Sequence, residues 1–112
     1  MAVTYKVLGQ SAPSSNTETT LYTTPSATSA VCSTLAVCNR SSSTTFRISV
    51  IPSGETLADE HYIVYDNYIE QYDSVFLTLG VTLAAGDLIS VFAGSANTSA
   101  NLSFSLFGSE IS

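Results

Sequence analysis

One side chain in this sequence is of a type that serves as a general base near neutral pH, His61, and it follows two acids in the triplet Asp59-Glu60-His61. A serine, a histidine and an acid can be drawn into a hydrolytic triad from any order along a chain, so order alone excludes nothing. No Gly-x-Ser-x-Gly elbow marks a nucleophile, and among so many serines a hydroxyl near His61 is expected by chance. His61 therefore reads as a surface or strand-edge histidine. No catalytic residue is assigned, and a small hydrolase built on His61 stands as the enzymatic alternative.

Metal chemistry has as little to work with. His61 has no cysteine near it in sequence, and the acids do not fall at EF-hand spacing. Cys32 and Cys38 lie in one predicted strand, about 20 Å apart at ~3.3 Å per residue, whereas a disulfide needs Cα atoms within roughly 7 Å. Their even-numbered positions, shared with Ala30, Thr34 and Ala36, place both on one sheet face as small buried hydrophobes. The expectation is no metal and no cofactor.

The most distinctive stretch is residues 59–73. It holds five of the nine acids, Asp59, Glu60, Asp66, Glu70 and Asp73, interleaved with Tyr62, Tyr65, Tyr68 and Tyr72. Tyrosine gives a large rigid contact area and a hydroxyl at little entropic cost, which enriches it in binding surfaces. With Arg47, which the alternation of its own strand turns outward, Tyr62, Tyr65, Tyr68, Tyr72, Asp66 and Glu70 form the candidate protein-binding interface. Carboxylates there could instead hold calcium, or the rings stack on sugars, although the chain has no tryptophan. The plainer alternative has tyrosines pointing inward with hydroxyls at the rim, and acids that keep a sheet edge from aggregating.

The elements that must carry these residues are strands. Eight short apolar, β-branched or aromatic runs are separated by turn-forming residues. They fall at residues 3–8, 18–24, 28–38, 44–51, 61–66, 74–79, 88–93 and 101–107. The polar stretch 10–17 reads as a surface connection, Pro25 closes the second run, and Gly80, residues 85–87 and the 94–100 loop divide the later ones. Phe46, Ile48 and Val50 face one way against Thr45, Arg47 and Ser49. Leu102, Phe104 and Leu106 likewise oppose Ser103 and Ser105. In the third run, Val31, Leu35 and Val37 are expected on one face and Ala30, Cys32 and Ala36 on the other. The pattern predicts an all-β, antiparallel two-sheet sandwich, jelly-roll-like, in a single domain over residues 1–112.

Composition narrows the partners. Only 11% of residues are charged, the net charge is −6, and Lys6, Arg40 and Arg47 are the only basic side chains besides His61. That balance argues against nucleic acid and against anionic membrane surfaces, both of which are bound through clustered cations. No run approaches the length of a signal h-region or a membrane-spanning helix, so a soluble chain made in the cytosol is expected. Without such a signal, the Asn-x-Ser/Thr triplets at Asn39, Asn97 and Asn101 carry no glycosylation meaning.

The stretch TLYTTPSATSAVCSTLAVCNRSSSTTFRISVIPSG, with HYIVYD, LTLGVTLAAGD and the closing LSFSLFGSEIS, resembles small virion structural proteins of tailed bacteriophages, particularly cyanophages. The likeness runs through nearly the whole chain; residues 55–72 depart from it in detail. It implies a non-enzymatic accessory component of the particle. This would be a head decoration (cement) protein on the major capsid protein, or a neck, tail or fibre subunit with a host-surface glycan-binding role. It also implies a virion location and a homo-oligomer, with three copies favoured.

Overall fold

The computed structural model describes residues 2–94 and 100–112, so the Asn97 triplet and most of the expected 94–100 loop lie outside the described residues. The described residues form eight strands: β1 (Val3–Ser11), β2 (Thr19–Thr23), β3 (Ser29–Asn39), β4 (Thr44–Ile51), β5 (Tyr62–Ile69), β6 (Ser74–Leu83), β7 (Leu88–Ala93) and β8 (Leu102–Ile111). They form two four-stranded sheets, the first in the order β1-β8-β3-β6 and the second β2-β7-β4-β5. Every pairing is antiparallel. The chain crosses between sheets at every step except β4 to β5. This is jelly-roll connectivity.

Period-two alternation supplies the core between the sheets. Phe46 and Ile48 of β4 and Ile89, Val91 and Ala93 of β7 meet Leu35 and Val37 of β3 and Leu102, Phe104 and Leu106 of β8, all essentially inaccessible to solvent. Phe46 and Phe104 touch edge to face across the gap, ring centroids 6.3 Å apart. Each such ring contributes on the order of 2–3 kcal/mol by its burial. At the β1 end the layers come closer still: a Cβ on Gly9 would stand 2.2 Å from the carbonyl oxygen of Leu21 in β2, so only glycine fits.

Several expectations are corrected by bulges. In β3, Cys32 pairs with Gly108 while Thr34 pairs with Phe107, leaving Ser33 as an extra residue. That residue inverts the parity, so Ala30, Cys32, Leu35 and Val37 point inward while Val31 and Ala36 point out. Cys32 is buried and Cys38 exposed; both thiols are free and they occupy opposite faces. Burial pushes the Cys32 thiol up to about 11, which keeps it protonated and unreactive. In β6, Gly80 (φ 76°) sits inside the strand instead of ending it. β1 continues through Gln10 and Ser11. The strand expected at residue 61 begins at Tyr62, after a 3-10 turn spanning Asp59–His61.

Candidate functional site

The tyrosines gather because β5 is bulged twice. Tyr62 lies opposite Ser49, Val64 opposite Ile48, Asn67 opposite Phe46 and Tyr68 opposite Thr45, so β5 spends extra residues at Ile63 and at Tyr65-Asp66. The second bulge is marked by Asp66 at φ 50°. An unbroken strand would alternate residues 62, 65 and 68 between its faces. Here all three stand on the outer face of the second sheet, beside Arg47.

Arg47 is the centre of that cluster. Its Nε donates to Asp66 Oδ1 at 2.6 Å and its second guanidinium nitrogen to Oδ2 at 3.3 Å. The guanidinium lies 4.3 Å from the centroid of Tyr65 and 4.8 Å from that of Phe92. Tyr62 meets Tyr65 edge on, centroids 4.9 Å apart. The Asp66 carboxylate holds the Arg47 proton more tightly than usual, against an opposing contribution from burial.

The structure thus brings Arg47, Asp66, Tyr62 and Tyr65 together. Tyr68 shares the face and is exposed. Tyr72 and Glu70 lie past the strand end, where the Asp73 N–H donates to the Glu70 carbonyl and Tyr72 adopts φ 58°. Phe92 is a member that the sequence did not announce. Its outward position follows from β7 alternation, but its place against Arg47 depends on β7 lying next to β4.

His61 is not a surface histidine. It is buried at the end of its 3-10 turn, Nδ1 accepting from the Ala58 N–H at 2.9 Å and Nε2 standing 3.0 Å from Glu55 Oε1. An Nδ1 that accepts leaves Nε2 as the protonated nitrogen, donating to Glu55. Both ring nitrogens are committed to this local network. Glu55, Glu60 and His61 place ligand atoms within 4.8 Å of one another, the one such grouping among the described residues, yet the imidazole is already spoken for on both sides.

The outer face of the first sheet is finished differently. Reading the register across β1, β8, β3 and β6 gives the rows Tyr5-Ser109-Val31-Thr82, Val7-Phe107-Thr34-Thr78 and Gln10-Ser105-Ala36-Phe76. Val3 and Ile111 flank one end, and Cys38 with Ser74 and Ser103 the other. None of these side chains is Asp, Glu, Lys, Arg or His. Tyr5 is 85% exposed and Phe76 70%, on opposite edges of the sheet. Lys6 and Glu110 belong to the other side of the same strands. There Lys6 Nζ meets Glu110 Oε1 at 3.2 Å, and the Tyr22 hydroxyl of β2 donates to Glu110 Oε2 at 2.6 Å, clamping the open end of the sandwich. That donated bond, aided by Lys6, lowers the Glu110 carboxyl below its ordinary value; burial, then the carboxylate, raise the Tyr22 phenol.

No family model matches the sequence, and no curated protein matches it. Among solved structures the fold is similar to that of a chain in the structure of infectious bursal disease virus, Gx strain. The TM-score is 0.53 over 97% of this chain, at 11% sequence identity. The likeness is one of fold. The chain spans about a third of the length of the one it matches, 32%.

Proposed function

We propose that this chain is a non-enzymatic structural protein of a tailed-phage virion, a capsid decoration protein that docks on major capsid subunits and bridges neighbours. The observation that carries the reading is the jelly-roll-like fold, similar over 97% of the chain to part of a chain in a virus structure. Jelly rolls recur in viral capsids, but also in lectins, so connectivity alone does not assign a role. The surfaces add to it. A charge-poor exterior dominated by hydroxyls docks without the cost of desolvating and ordering long charged side chains. Many copies on a lattice make modest contacts sufficient, because a subunit held at one point meets the next at high effective concentration.

The test is the protein content of particles purified from the phage that encodes this chain. The chain is expected at a fixed ratio to the major capsid protein, and capsids lacking it are expected to bind the purified chain to saturation. Absence from particles, with no binding to such capsids, would overturn the reading.

A second reading, a neck, tail or fibre accessory that binds host glycans, draws on Tyr65 and Tyr68, each 59% exposed on one face beside Arg47. Rings presented this way suit the apolar faces of sugars. Binding on a glycan array that is lost in Tyr65→Ala and Tyr68→Ala would favour it.

A further inference from the structure

We infer that the outer face of the first sheet is where two copies of this chain pair. The inference deepens the assembly role proposed above by naming the surface and the occupant.

Charge selects the occupant. Two copies each carrying −6 repel, and juxtaposed like charges within an interface cost several kcal/mol. On the second sheet, the Asp66 carboxylate and the Arg47 guanidinium, with Tyr65 against it, stand on the outer face. The outward positions of β1, β8, β3 and β6 carry no charge of either sign, so a second copy meets nothing it must repel or neutralise. A strongly basic partner would find no carboxylate to grip there.

Area and composition agree. Four strands at ~4.8 Å spacing and about ten residues at ~3.3 Å rise give roughly 600 Å² of planar face, the lower end of what each partner contributes to a stable interface, near 800 Å². Exposed aromatics at two edges, Tyr5 and Phe76, frame a centre of Val7, Phe107, Thr34 and Thr78. Such a surface meets its own copy with rings over apolar groups and hydroxyls over hydroxyls. Sheets stack about 10 Å apart with strand directions rotated by about 30°. A patch that pairs with itself generates a two-fold axis, whereas three copies in a ring need two different patches. The geometry of this face therefore points to two copies.

Sedimentation equilibrium of the whole chain tests this. The wild type is expected at twice its 11.8 kDa mass at high concentration. Phe76→Glu and Tyr5→Glu, both at exposed positions, are expected to weaken pairing at least tenfold, while Tyr68→Glu on the other face leaves it unchanged. Alkylation of Cys38, the exposed thiol on the pairing face, should slow as the dimer fills, with circular dichroism confirming that every variant is folded. A wild type monomeric at all concentrations, or a dimer broken by Tyr68→Glu and not by Phe76→Glu, overturns the pairing. A monomer that is nonetheless found in particles would do so while leaving the virion role intact.

Discussion

On the outer face of the second sheet, Arg47 is held by Asp66 and stacked between Tyr65 and Phe92, and Ser49, Ser90 and Ile51 are buried although they point away from the core. The 3-10 turn that buries His61 packs against β4 on the way into β5, so this face is partly covered by its own chain. Among the described residues, nothing covers the outer face of the first sheet in this way. Tyr5, Val7 and Phe76 stand in solvent above a field of hydroxyls. One face holds an ion pair and an arginine engaged with Tyr65 and Phe92 beside the exposed ring of Tyr68, and the other has left apolar area open with no charge to oppose a neighbour. Two sheets with the same number of strands and a shared core thus differ in how their outer faces are finished.

Substitutions can break or sharpen that contrast. The largest effect is expected where the sheets are tied together. Asn39, buried at the end of β3, donates from Nδ2 to the carbonyls of Ser42 and Glu70 and accepts at Oδ1 from the Ser41 N–H. Asn39→Ala removes these part-buried bonds made by a buried side chain and should cost about 2 kcal/mol in urea denaturation. A loss under about 1 kcal/mol would show that the ends of the two sheets are independent.

Next comes the clamp. Tyr22→Phe should cost about 1.5 kcal/mol at neutral pH, the scale of a hydrogen bond to a charged group. The pH dependence has a definite sign. Because the Glu110 carboxyl is lowered in the fold, its contribution is present above the ordinary carboxylate range and is lost as pH falls through the lowered value. Because the Tyr22 phenol is raised, its contribution is present below about pH 10 and is lost as pH rises through the raised value. The variant should flatten both limbs of a stability-against-pH curve. Parallel curves for wild type and variant would contradict the linkage.

The contrast itself is sharpened by a matched pair. Arg47→Met removes an ion pair and two cation–π contacts and should cost about 1 kcal/mol, while Phe76→Ser, on the open face, should change monomer stability by less than about 0.5 kcal/mol. Equal costs in thermal melts would mean that the two faces are not differently finished. A small gain is expected at Tyr72, whose φ of 58° suits glycine better than a bulky ring. Tyr72→Gly should stabilise the chain by about 0.5 kcal/mol.

The sandwich was legible because period two is unbroken along β4 and β8, two of the strands that make the core. Phe46-Ile48-Val50 and Leu102-Phe104-Leu106 point inward as their alternation requires. What was not legible is every place where a strand gains a residue. Nothing about Ser33, Ile63 or Asp66 as residue types announces a bulge, yet the first decides which cysteine is buried and the other two put the tyrosines on one face. Gly80 was visible and read as a stop, because a glycine that bends a strand and one that ends it look alike in sequence. The tyrosine stretch was legible as a surface, and Arg47 as its outward neighbour. Phe92 was not, since its contact with Arg47 depends on which strands pair. His61 was misplaced for a related reason, its burial depending on the covering turn and not on its own neighbours in the chain.

The most direct test is an electron-microscopy map of the whole particle at a resolution that places side chains. The account predicts density for this chain on or within the shell in many copies, with Tyr5, Val7 and Phe76 covered by a second copy and Arg47 still stacked between Tyr65 and Phe92. Particles without the chain, or copies whose Tyr5 and Phe76 face open solvent while the β5 tyrosines make the contact between them, would contradict it.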